Sequence, residues 1–173
     1  ESPRTEIDAI ERVLQPYREL FHIQAPARVD GGDILQVGKR IYLGLSTRSD
    51  TNAAEQLQAI LQPFGYELHV VEVRGCLHLK SAVTQIGEDA LLYNPAWVDR
   101  SALAPVKFME IDASEPYAAN AVLIRDSIIY PTSFPRTQER LDAQGIEIVN
   151  VDADELAKAE GAVTCCSLIL QRS

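Results

Sequence analysis

No apolar run in this chain approaches the ~20 residues that a membrane-spanning helix needs, and the first residues lack the apolar core of a secretory signal. The expected compartment is therefore the cytoplasm, with no membrane partner. Cysteine is scarce. Cys76, Cys165 and Cys166 make an odd count with two of them adjacent, which excludes a disulfide framework. Positive charge is the minority sign: 16 Lys and Arg stand against 25 Asp and Glu, for a net charge of -9, and no basic patch or stripe is present. Nothing in that balance neutralises a phosphate backbone, so nucleic acid is not an expected partner. A cationic small molecule suits the field better.

What is there reads as one packed domain spanning residues 1–173, because the length is ample for one core and short for two. Ile7, Ile10, Val13 and Leu14 recur at helical spacing and predict an amphipathic helix over 6–17. Residues 20–25 read as a short strand. A repeat then begins. Apolar runs at 34–37 and 41–45, split by Gly38-Lys39-Arg40, predict a hairpin, followed by a helix over 51–62 and a strand over 67–73. The second copy predicts strands at 82–86 and 90–93, a short helix at 98–103 and a strand at 107–111. The third predicts strands at 121–124 and 128–130, a helix at 138–144 and a strand at 147–151. A helix near 153–159 and a strand over 163–170 close the chain. Three strand-strand-helix-strand units fit either a pseudo-symmetric ring or a plain α+β sheet. In a ring, equivalent strand ends converge on one axis, and residues distant in sequence share one site.

Six positions carry reactive chemistry, each with a bland alternative. On a strand, Cys165 and Cys166 point to opposite faces, so one at most faces a site; free cysteine is otherwise a small core residue. His78, between Leu77 and Leu79, is by itself more often a core histidine than a catalyst. Asp30 and Asp33 flank Gly31-Gly32, which is turn composition, yet glycine also lets backbone approach a ligand while a carboxylate orients a histidine. Arg48 is either a solvated loop residue or a fork for a carboxylate. His22 and His69 are given structural roles.

Taken together these segments resemble a family pattern. Asp30-Gly31-Gly32-Asp33, Gly44-Leu45-Ser46-Thr47-Arg48, Leu77-His78-Leu79-Lys80-Ser81 and Val163-Thr164-Cys165-Cys166-Ser167 are similar, in order and spacing, to motifs of the guanidino-group-modifying superfamily. The short loops and the Cys-Cys pair most resemble the dimethylarginine dimethylaminohydrolases. The resemblance implies a pseudo-fivefold α/β propeller of ββαβ modules, of which about three and a half are present here. It implies Cys165 as nucleophile, His78 as general acid/base and Asp30 as the carboxylate orienting it. Arg48 would hold the substrate's α-carboxylate, Arg4 would match one of a second arginine pair, Ala159 would offer a backbone contact, and Asp33 is assigned to substrate binding. The implied reaction turns dimethylarginine into citrulline and dimethylamine with no metal and no cofactor. Related guanidines (arginine, agmatine) and a non-catalytic binding module are the alternatives.

The pattern departs in one place. The family's early acidic segment, which holds the guanidinium, has no counterpart, so the expectation is a chain beginning after the first module and part of the second. A complementing N-terminal segment would then supply those carboxylates; a homodimer is the other partner expected. An open ring would leave sheet edges and apolar faces exposed.

Overall fold

The computed structural model describes residues 3–103, 106–159, 161–165 and 167–169, with side chains from residue 7 onward. The first element is helix α1 (Pro3–Leu14), which ends before Pro16. Its predicted apolar residues Ile7, Ile10 and Val13 all stand exposed. Residues 20–25 form no strand. They run as irregular chain, with Gln24 fastened to Gln56 through both its backbone N–H (2.7 Å) and its carbonyl (3.0 Å). Backbone groups paired to a side chain have no ladder to join.

Three modules follow, each built alike. In the first, β1 (Ile34–Val37) and β2 (Arg40–Leu45) form an antiparallel hairpin whose turn places Gly38 at φ +59°, a region costly for residues with a Cβ. Helix α2 (Thr51–Leu61) starts where the Asp50 carboxylate accepts the Ala53 N–H at 3.0 Å. The chain returns as β3 (Glu67–Glu72), parallel to β2. A single helical turn, α3 (Leu79–Ala82), links this module to the next. The second sheet is β4 (Val83–Gly87), β5 (Ala90–Tyr93) and β6 (Lys107–Glu110), again antiparallel then parallel. The helix predicted over 98–103 shrinks to one 3-10 turn, Arg100–Ala102, started by Asp99.

The third sheet is β7 (Val122–Ile124), β8 (Ser127–Pro131) and β9 (Glu147–Val151). Its helix α4 (Pro135–Ala143) begins three residues earlier than the apolar pattern suggests. Proline costs nothing at a first helical position, and the Glu115 carboxylate accepts the free N–H groups of Arg136 (3.0 Å) and Thr137 (2.8 Å). Helix α5 (Asp154–Lys158) follows. Among the described residues of the strand expected over 163–170, none is in a strand: residues 163–165 make a turn and 167–169 have no regular structure.

The first strands of the three sheets, β1, β4 and β7, lie beside one another. The apolar clusters sit between modules, not within them. Leu35, Tyr42, Val71, Leu91 and Tyr93 join the first two modules. Ile86, Leu92, Ile128, Tyr130 and Leu141 join the second and third. Adjacent residues Leu91 and Leu92 of β5 thus face opposite neighbours, and each is wholly buried. Side chains of that size contribute about 1.5–3 kcal/mol each on burial, so a two-faced strand is the seam of the structure. These are blades of an α/β propeller, and among the described residues the ring does not close.

Candidate active site

The site forms where the loops entering β1, leaving β2 and leaving β3 meet. Asp30 has extended backbone and starts a 3-10 turn, Gly31–Asp33, its Oδ1 accepting the Gly32 N–H at 2.9 Å. The Asp30 N–H donates to Ser49 Oγ at 3.0 Å. Ser49 Oγ donates in turn to Asp33 Oδ2 at 2.6 Å, and Ser46 Oγ donates to the same oxygen at 2.7 Å. Asp33 Oδ1 accepts the Leu79 N–H at 3.0 Å. Asp33 is wholly buried, and both its oxygens serve protein donors. Its position therefore differs from the substrate contact assigned from sequence: it has no surface to offer a ligand, and it ties three loops with charge-assisted bonds.

That tie fixes the start of α3, and His78 is the residue just before it, in extended backbone. The His78 ring lies flat against Gly32. A Cβ at Gly32 would meet the ring at 2.6 Å from Cγ and 2.9 Å from Cδ2 and Nδ1. Nε2 faces Asp30 Oδ1 at 3.4 Å, with the imidazole side chain 16% exposed and the carboxylate 35%. The pair is within ion-pair reach and short of a hydrogen bond; Nε2 is buried and makes none. Cys76 Sγ donates to the His78 carbonyl at 3.3 Å, and burial pushes its thiol up to about 11, so it is neutral near pH 7. Lys80 is half-buried. Burial pulls its ammonium below the ordinary lysine value, while the charges of Cys165, Asp30 and Asp33 pull the other way. The four groups therefore share one electrostatic neighbourhood.

Cys165 is exposed on a turn. Its N–H donates to the Ala162 carbonyl at 3.0 Å, and Ser167 closes back onto Val163 O through its hydroxyl at 2.7 Å. These local bonds replace a strand ladder, so the alternating-face argument for Cys165 and Cys166 does not apply; Cys166 itself lies outside the described residues. Buried Val163 packs with Val122 and Ala153. The preceding Thr164 is held by Asn120, whose Oδ1 accepts the Thr164 N–H (3.2 Å) and whose Nδ2 donates to Thr164 Oγ1 (2.8 Å) and to the Lys80 carbonyl (3.1 Å).

Asp30, Asp33 and Cys165 thus lie within electrostatic reach of the Lys80 ammonium, and His78 is held on Gly32 facing Asp30. Arg48 is exposed in the loop between β2 and α2, with its N–H donating to Ser46 Oγ at 2.9 Å. Ala159 is exposed at the end of α5. Arg4 lies in α1, and its side chain is outside the described residues. His22 faces Glu11 at 3.6 Å and His69 stacks on Tyr42 at 5.4 Å, away from this cluster. Sequence reasoning passed over Ser49, Lys80, Asn120 and Thr164. The one signal for Asn120 was its place as the lone polar residue in Ala118-Ala119-Asn120-Ala121-Val122, where a buried amide needs partners.

Blades of ββαβ type with Cys, His and Asp gathered at their loops define a class, and comparison with known proteins agrees. The arginine deiminase family model matches residues 17–119, and the chain belongs to that family. Within it, the chain is similar to dimethylarginine dimethylaminohydrolases. It is 34% identical over 170 residues to that of Pseudomonas aeruginosa, covering 97% of this chain and 67% of the relative. It is 37% identical over 147 residues to that of Streptomyces coelicolor, covering 84% and 56%. A solved structure of the P. aeruginosa protein, a cysteine-to-serine mutant complexed with citrulline, superposes with a TM-score of 0.85 at 32% identity, over 95% of this chain and 66% of that one. The N-terminal domain of a cyanobacterial arginine dihydrolase, 20% identical, shares the fold with a TM-score of 0.84. The chain thus spans roughly half to two thirds of the length of these relatives.

Proposed function

We propose that this chain carries the nucleophile and the acid–base pair of a hydrolase that acts on N-methylated arginine, releasing citrulline and dimethylamine. The observation that supports it most is the His78 ring seated on Gly32 with Nε2 turned to Asp30, in the electrostatic neighbourhood that also holds Cys165. The names of the 34% and 37% identical relatives support the same substrate class.

A guanidinium carbon is a weak electrophile, so the attacking group is a thiolate. In this reading the Cys165 Sγ lone pair forms a bond to that carbon, giving a tetrahedral adduct. His78 in its protonated form gives a proton to the dimethylamino nitrogen, the C–N bond breaks, and dimethylamine leaves a thiouronium on Cys165. Neutral His78 then takes a proton from water as its oxygen attacks the same carbon. The C–S bond breaks, the thiolate returns, the hydroxyl proton passes to solvent and citrulline departs. The Asp30 carboxylate stabilises the imidazolium that gives the first proton and that is regenerated when water is deprotonated. Arg48, exposed beside the cluster, is the fork for the α-carboxylate. The carboxylates that pair the guanidinium come from a complementing N-terminal segment.

The test is citrulline release from asymmetric dimethylarginine, run beside arginine and agmatine, with intact mass after 2-chloroacetamidine. Turnover of dimethylarginine above the other two, lost in Cys165→Ser and His78→Ala, supports the reading. Turnover confined to arginine or agmatine supports the family chemistry on another guanidine and rejects this substrate. No turnover, and no adduct on Cys165, sinks the assignment of the nucleophile.

A further inference from the structure

We infer that Asn120 is the positioning residue that sets the nucleophile against the acid–base pair. The inference rests on the reading of Cys165 and His78 given above and goes beyond it. Asn120 is 4% exposed and spends its amide on two segments far from it in sequence. Its Nδ2 donates to the carbonyl of Lys80, two residues past His78 on α3, and to Oγ1 of Thr164, the residue before Cys165. Its Oδ1 accepts the Thr164 N–H. One planar group thereby joins the turn bearing the nucleophile to the turn bearing the histidine.

The amide chemistry is specific. Two contacts need donors and one needs an acceptor, which a carboxylate cannot provide and a hydroxyl is too short to span. The anchor is itself fixed on both sides. The Thr84 hydroxyl on β4 donates to the Ala119 carbonyl at 2.6 Å and accepts the Ala121 N–H at 3.1 Å, so the backbone flanking Asn120 is pinned to the central blade. Among the described residues, the other restraints on the Cys165 turn are bonds within 162–167 and the burial of Val163, which hold its shape and not its distance from α3.

The consequence is kinetic. A thiolate displaced by about 1 Å from its acid–base partner loses on the order of 100-fold in rate, while its intrinsic nucleophilicity hardly changes. The readout is the ratio of two alkylation rates at Cys165, followed by intact mass: 2-chloroacetamidine, a guanidinium mimic that uses the assembled site, against iodoacetamide, which needs only a thiolate. Asn120→Ala is expected to lower that ratio by roughly 10- to 100-fold and to shift its pH profile toward that of His78→Ala. Thr164→Val removes one of the three bonds and is expected to lower the ratio less; Thr164→Ser restores what Thr164→Val loses. A merely structural asparagine would change the melting temperature and leave the ratio and its pH profile alone.

If Asn120→Ala does not fold, Thr164→Val against Thr164→Ser decides, and an unchanged ratio in Thr164→Val overturns the inference. If Asn120→Ala folds and keeps the unmodified ratio, the inference is overturned while the assignment of His78 stands. If His78→Ala also keeps that ratio, the proposed function fails and takes this inference with it.

Discussion

Gly32→Ala adds a single methyl group against the imidazole, and its effect follows from three distances. Gly32 has an ordinary backbone conformation, so alanine brings no φ penalty there. The new Cβ would lie 2.6 Å from His78 Cγ, and an ordinary contact begins at 3.4 Å, so one partner must retreat by about 0.8 Å or more. Gly32 cannot readily move, because its N–H is bonded to Asp30 and the next residue, Asp33, anchors three loops. The ring therefore moves, and the 3.4 Å approach of Nε2 to Asp30 is lost. Overpacking of this size costs about 1–3 kcal/mol of stability, and a shift near 1 Å costs roughly 100-fold in the His78-dependent rate. Gly31→Ala is the control, since nothing lies within 4 Å of its added Cβ. The assay is 2-chloroacetamidine alkylation of Cys165 with thermal melts of both variants. A Gly32→Ala protein that melts as expected yet keeps the rate of Gly31→Ala would refute the placement of His78 on Gly32.

Asp33→Asn replaces a buried acceptor of three bonds by a group that must present N–H to a partner, and the Leu79 N–H cannot reorient. We expect a loss of roughly 1.5–3 kcal/mol, read as a fall of roughly 3–12 °C in melting temperature; an unchanged melt would show the loop tie to be weak. Cys76 is buried as a neutral thiol, with its ionisation pushed up to about 11. Alkylation near pH 8 should therefore mark Cys165 and spare Cys76, by peptide mapping. Because folding favours the neutral form, this group's contribution to stability is whole below about 9 and declines as pH rises toward 11; a melt series in which Cys76→Ser loses the same stability over that range would exclude it as the cause. Arg48→Ala should raise KM for substrates bearing an α-carboxylate while leaving agmatine unaffected, and equal effects on both would reject the carboxylate fork.

Much of the architecture is legible in local pattern. The hairpins at β1–β2, β4–β5 and β7–β8 follow from apolar runs split by polar or glycine-containing turns, and β5 and β9 have the predicted bounds, 90–93 and 147–151. The terminal segments were misread for one reason. Residues 20–25 and 163–170 are apolar enough for strands, but a strand exists only where a neighbour offers a ladder, and among the described residues the backbone at Gln24 is paired to Gln56 and that at Cys165 and Ser167 closes on its own turn. The start of α4 was missed because its cap comes from Glu115, far earlier in the chain.

Residue types and spacing by themselves determined the repeat, the acidic balance and the set of reactive positions, since periodicity and composition are local properties of the chain. Only the tertiary structure decided what those positions do to one another. Asp30 and Asp33, three residues apart with identical side chains, part company: one is left partly open facing His78, the other is sealed among Ser46, Ser49 and Leu79. Asn120, marked in the sequence only as a lone polar residue in an apolar run, becomes the link between α3 and the Cys165 turn. Burial and hydrogen-bond partners across 40 residues of chain are set by how the blades stack, and no local pattern encodes them.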